Sequence, residues 1–112
     1  MGPMQRLRHA SESAMSRRTS YKFRLYLAGN ALNSEQAQAN LAAICETHLT
    51  GRYEIELVDV FRDPKRALAD NIFLTPTLVK LWPLPLRKIV GTLSQTQVAL
   101  DALGLDGGNH EQ

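Results

Sequence analysis

Apolar and polar residues alternate along YKFRLYL. Tyr21, Phe23, Leu25 and Leu27 fall on one side, and Lys22, Arg24 and Tyr26 on the other. A period of two predicts a strand with one apolar face. Gly29 and Asn30 break it, and the period then changes. Ala37, Leu41, Ile44, Cys45, His48 and Leu49 recur at helical intervals. They predict a helix capped by Asn33, with Gln36 at capping-box spacing and Gly51 as the stop. YEIELVDVF is a second strand, and its apolar end at 57–60 suits the middle of a sheet.

Asp63-Pro64 then offers a cap followed by proline at the first helical position, so KRALADN is a short helix. A third strand spans 77–81, WPLP turns the chain, and 87–90 is a fourth strand. Ser94 caps a last helix with Val98, Leu100 and Leu103 on its apolar stripe, and Gly104, Gly107 and Gly108 end it. The order β-α-β-α-β-β-α is that of the thioredoxin fold. It predicts an α/β domain with a four-stranded mixed sheet, built from a βαβ unit and a closing hairpin. Pro76 stands at the start of the third strand, where a missing N–H costs little and where thioredoxin-like proteins carry a cis-proline.

Composition narrows the class. The 112 residues suffice for one small core, and no apolar run approaches the roughly 18 residues of a membrane span. The formal charge is +2, but residues 1–20 hold Arg6, Arg8, Arg17 and Arg18 against Glu12, a net of +3. The remainder is therefore −1. We expect residues 1–20 to be a disordered basic leader, 21–106 the folded domain and 107–112 a flexible tail. A solvated leader explains the basicity better than nucleic-acid or membrane binding, so neither is expected as a partner. One cysteine and no secretory signal fit a cytoplasmic protein.

Candidate chemistry is sparse. A redox thioredoxin needs C-x-x-C at the start of its first helix, where the helix dipole favours a thiolate. Ala31-Leu32-Asn33-Ser34 stands there instead. Cys45 lies two to three turns further on, along the stripe assigned to the core, and suits a structural role. His9, His48 and His110 lack metal-ligand spacing. Glu54 and Glu56 share a strand face, and a solvated face explains them better than acid–base work. No catalytic residue, metal site or cofactor is expected, and the chain is not expected to be an enzyme.

Three stretches in fixed order carry a resemblance: YKFRLYLAGNALNS, YEIELVDVFRDP and DNIFLTPTLVKLWPLPLRKIVGTLS. Together they resemble the KaiB family of circadian clock proteins across residues 19–105. Pro83-Leu84-Pro85 replaces the family's triple proline, and Asn71 stands where a basic residue is common. The resemblance implies a regulatory binding protein whose partner is the N-terminal ATPase ring of a KaiC-type hexamer. A KaiA-like protein or a sensor histidine kinase would be further partners. Pro64, Lys65, Arg66, Ala69 and Asn71 are the implied contact residues. The resemblance also implies a second packing of the same chain, β-α-β-β-α-α-β, with self-association to a dimer or tetramer. Pro76, Pro83, Pro85 and Gly91 would then mark the switching region. The alternative is a thioredoxin-like adaptor in a sensor-kinase or stress-response pathway without an oscillator.

Overall fold

A computed structural model describes residues 20–105. All of the expected leader except Ser20, and the whole of the expected tail, lie outside them. Strands β1 (Tyr21–Leu27), β2 (Tyr53–Asp59), β3 (Thr77–Trp82) and β4 (Arg87–Val90) form one sheet in the order β2-β1-β3-β4. β1 runs parallel to β2, with Leu25 opposite Leu57, and antiparallel to β3, with Leu25 opposite Leu78. β4 closes the sheet antiparallel to β3. Helices α1 (Leu32–His48), α2 (Pro64–Ala69) and α3 (Thr96–Leu103) complete the expected order. The sheet is mixed and four-stranded, as the pattern requires.

The strict alternation of β1 divides the core into two. Phe23, Leu25 and Leu27 face α1 and α3, and bury with Leu41, Cys45, Leu78 and Leu100. The opposite face holds a smaller cluster of Tyr26, Val58, Ala67, Ile72 and Val79 beneath α2. Each large side chain removed from water in this way contributes about 1.5–3 kcal/mol. The main core is therefore the stronger anchor, and α2, which buries Ala67, is held more lightly.

Local details depart from expectation. β2 is an edge strand rather than a central one, and Leu57 is half exposed. Its apolar run was misleading because Val58 and Val60 join the cluster beneath α2 while Leu57 joins neither core cluster. Helix α1 starts at Leu32 with Ala31 as its cap, so Asn33 lies inside the helix and makes no side-chain cap. Ser34 takes up the polar work instead, its buried Oγ accepting a 3.0 Å bond from the Ala28 N–H. His48 is exposed, outside the buried stripe. Asp63 and Pro64 stand where predicted, but the Asp63 side chain makes no cap bond. Gln95 rather than Ser94 precedes α3, and Ala99, not Val98, joins Leu100 and Leu103 in the core.

Two helix ends are well specified. At α3, Gly104 adopts a left-handed conformation and the Leu105 N–H reaches back 2.9 Å to the Leu100 carbonyl. At α2 the same arrangement uses Asn71, at φ 58°. The Ile72 N–H donates to the Ala67 carbonyl at 2.8 Å and the Asn71 N–H to the Leu68 carbonyl at 3.0 Å. This is a Schellman stop, with the Ile72–Ala67 apolar contact that accompanies it.

Candidate partner-binding face

The face covered by α2 gathers most of the charged side chains that the fold places with definite geometry. Arg24 and Tyr26 come from the α2 side of β1, Glu56 from β2, and Asp63, Arg66 and Asp70 from α2 and its flanks. The Arg24 Nε donates to Glu56 Oε1 at 2.8 Å, and its Nη1 to Asp70 Oδ2 at 3.0 Å. The Tyr26 hydroxyl donates to the same Asp70 oxygen. Arg66 pairs with Glu56 at 2.8 Å and more loosely with Asp63 at 3.8 Å. The result is a continuous chain of partners from the sheet to the exposed side of α2.

Its electrostatics follow from contact. The bond from Tyr26, followed by those from Arg24, holds the Asp70 carboxyl below the usual aspartate range against the opposing effect of burial. Arg24 and Arg66 lower Glu56 in the same way. Burial, then the neighbouring Asp70 carboxylate, raises Tyr26. Glu56 first, then Asp70, strengthens the hold of Arg24 on its proton. These groups are locked in complementary charge states near neutral pH and are poorly suited to exchanging protons with a substrate.

The residues implied as contacts occupy one continuous region. Pro64 opens α2, and Lys65 and Ala69 are exposed on it. Arg66 is half engaged by Glu56, so only part of its guanidinium faces water. Asn71, also exposed, carries the helix stop. Arg62 and Lys65 make no ion pair among the described residues. The acids nearby are engaged: Asp59 Oδ1 accepts the N–H groups of Gly29 at 3.2 Å and Phe61 at 2.9 Å. Exposed apolar side chains lie in the same part of the chain, with Phe61, Leu68, Phe73 and Leu74 all more than half open to solvent.

The four residues assigned to a switching region lie at the two ends of the β3–β4 hairpin. Pro76 is buried at the entry to β3, and its peptide bond with Thr75 is cis. Pro83 and Pro85, also cis, lie in the β3–β4 turn. Gly91 follows β4 at φ 119°, and its N–H donates to the Pro76 carbonyl at 2.9 Å. A side chain at Gly91 would be strained by that φ although the space is open.

Cys45 is fully buried in the main core, and burial pushes its thiol up to about 12. It is far from the thiolate character that exchange chemistry needs. Among the described residues no group of three or more His, Cys, Asp or Glu could hold a metal ion. No described helix is long and apolar enough to cross a membrane.

The network through Tyr26 and Asp70 was missed from the sequence. The alternation of β1 puts Tyr26 on the polar face of the strand. The usable signal was parity: Tyr26, Val58, Val79 and Leu81 share one side of the sheet, which therefore needed its own cover.

A KaiB domain model matches residues 24–105. The chain is 46% identical over 83 residues to the circadian clock protein KaiB3 of Synechocystis, covering 74% of this chain and 79% of that protein. It is 44% identical over 92 residues to the circadian clock oscillator protein KaiB of Synechococcus elongatus, covering 82% and 88%. Among solved structures, the N-terminal domain of Synechococcus elongatus SasA is similar in fold, with a TM-score of 0.65 at 19% identity. That match covers 84% of this chain and 87% of the domain. A chloroplastic thioredoxin z matches with a TM-score of 0.64 at 19% identity, covering 88% of each chain.

Proposed function

The chain belongs to the KaiB family of clock proteins, and on that premise we propose that it is a non-catalytic regulator that binds the N-terminal ATPase ring of a KaiC-type hexamer. The observation that carries the proposal is the α2 face. Its carboxylates are consumed internally while Arg62 and Lys65 remain exposed and unpaired among the described residues. Such a face suits a partner with an acidic surface, and the charges act mainly on encounter rate and orientation. Pro64, Lys65, Arg66, Ala69 and Asn71 form the proposed contact region. A KaiA-like protein or a sensor histidine kinase is the proposed further partner, in the cytoplasm.

We also propose that the half of the chain after Val60 reaches the second packing, β-α-β-β-α-α-β, with self-association to a dimer or tetramer. Support comes from the light anchoring of two elements in that half, α2 and β4. β1 and α1 bury a continuous row of apolar side chains, whereas α2 buries Ala67 and β4 leaves three of its four residues exposed. Elements held by few contacts open at lower cost than the frame, and Pro76, Pro83, Pro85 and Gly91 mark the joints.

The test is association with an isolated KaiC-type N-terminal ring at several salt concentrations. Arg62→Glu with Lys65→Glu should slow association by about ten-fold or more and remove most of its salt dependence. Arg66 is better left intact, because its reversal would also break the pair with Glu56. An on-rate unchanged by the double reversal would overturn this placement.

A further inference from the structure

The α2 face continues past the helix onto β4. Lys88 lies opposite Val79 and Val90 opposite Thr77, so both project from the sheet face that α2 covers elsewhere. Helix α2 stops at Asn71 before reaching them. Between the 71–74 segment and β4 the stop leaves a groove of about 110 Å3, with Phe73, Leu74 and Val90 among its lining. Phe73 is 78% exposed, Leu74 62% and Val90 56%. Large apolar side chains gathered around one concavity mark an interaction site more often than a scattered surface does. An engineered cavity of about 150 Å3 holds benzene, so this groove takes one aliphatic side chain or part of an aromatic ring.

Charge selects the occupant. Lys88 lines the groove, and its Nζ donates to the main-chain carbonyl of Asp70 at 2.5 Å. That fixes the ammonium without neutralising it. The Asp70 carboxylate is turned toward Arg24 and Tyr26, and Lys88 makes no ion pair among the described residues. Lys65 adds an exposed cation from α2. A flanking lysine would disfavour a basic partner segment and attract an acidic one.

We propose that the groove between Leu74 and Val90 receives one apolar side chain of a partner-protein segment whose neighbouring residues are acidic, with Lys88 meeting a carboxylate. The proposal rests on the α2 face being the docking surface, and names the chemistry of what docks there. The groove supplies an anchor, and the exposed cations supply orientation. A second copy of this chain is a poorer occupant, because it would bring Lys65 and Lys88 against the same cations.

Two arms test it on the full chain. In the first, isotope-labelled protein is titrated with the peptide acetyl-Glu-Asp-Leu-Asp-Glu-amide, with a Leu→Gly version and with a version carrying Gln and Asn for Glu and Asp. Amides at 71–74 and 88–90 should shift, and each altered peptide should bind about ten-fold more weakly or worse. No response at millimolar peptide, a response elsewhere, or equal response to all three would overturn the proposal. In the second arm the KaiC-type ring is offered to Val90→Glu, and to Leu74→Ser should the first variant lose its dispersed spectrum. A loss of about ten-fold supports the groove. If ring affinity is unchanged, the groove proposal fails while the α2 reading stands. If the ring binds no form of the chain, that reading fails, and the peptide titration alone decides the groove. Concentration-dependent dimerisation through the groove would also overturn it.

Discussion

Replacing Asp70 by alanine should detach α2 from the sheet more than any other single change at the surface. Asp70 accepts from both Arg24 and Tyr26. Its loss removes a charge-assisted bond, worth about 1.5–3 kcal/mol in favourable settings. It also leaves the hydroxyl of Tyr26, a residue with no exposed surface, with only the Arg66 carbonyl at 3.4 Å as acceptor. A buried hydroxyl held by one long bond carries part of the cost of an unsatisfied group, which is about 1–3 kcal/mol. The Asp70 side chain is 32% exposed, so water replaces part of both losses. We therefore expect a net cost of about 2 kcal/mol at pH 7. With a urea m-value of about 1–2 kcal/mol/M, the midpoint should fall by about 1–2 M, read by far-UV circular dichroism. The folded-state pKa of Asp70 is lowered, so its stabilisation is fully present above the ordinary aspartate value of about 3.9 and is lost as pH falls through the folded value. The gap between wild type and variant should therefore narrow in strong acid. Tyr26→Phe should cost about 1 kcal/mol, and the double variant should cost less than the sum of the two. A cost below about 0.5 kcal/mol at pH 7, the level of an indifferent surface change, would refute the reasoning. So would a gap independent of pH, or strict additivity with Tyr26→Phe.

Asn71→Ala should cost about 1–2 kcal/mol because alanine resists the left-handed conformation there, while Asn71→Gly should stay near wild type; thermal unfolding of both variants checks this. Cys45 should resist thiol reagents at pH 8 until urea unfolds the chain. Cys45→Ala should keep partner binding, and Cys45→Ser should cost about 1–3 kcal/mol in urea unfolding. In native-state hydrogen exchange, bonded amides of β1 and α1 should open only globally, and those of α2, β3 and β4 through a cheaper sub-global step. Uniform protection across these elements would remove the support for a labile second half.

Elements with strong periodicity were legible in the sequence. β1 announced itself by alternation, and α1 by the spacing of Ala37, Leu41, Ile44 and Cys45. Their burial depends on a repeat that any one segment displays. The sheet order was harder to read, because Leu57 and Val58 look equally apolar while only Val58 joins a core cluster. Caps failed for a similar reason. Asn33 and Ser94 have suitable side chains, yet the backbone begins each helix elsewhere and no side-chain cap forms. The place of Pro64 and Lys65 at the start of α2 was legible because it depends on chain order. The candidate site was not legible where it depends on pairing across 32 to 46 positions, as with Arg24, Glu56 and Asp70.

The central claim is that the α2 face meets a KaiC-type ring. Hydrogen exchange of the chain, free and saturated with the N-terminal ring, tests it most directly. New protection is expected at 62–74 and 88–90, with the outward amides of α1 unchanged. Protection confined to α1 and α3, with 62–74 exchanging as in the free protein, would contradict it.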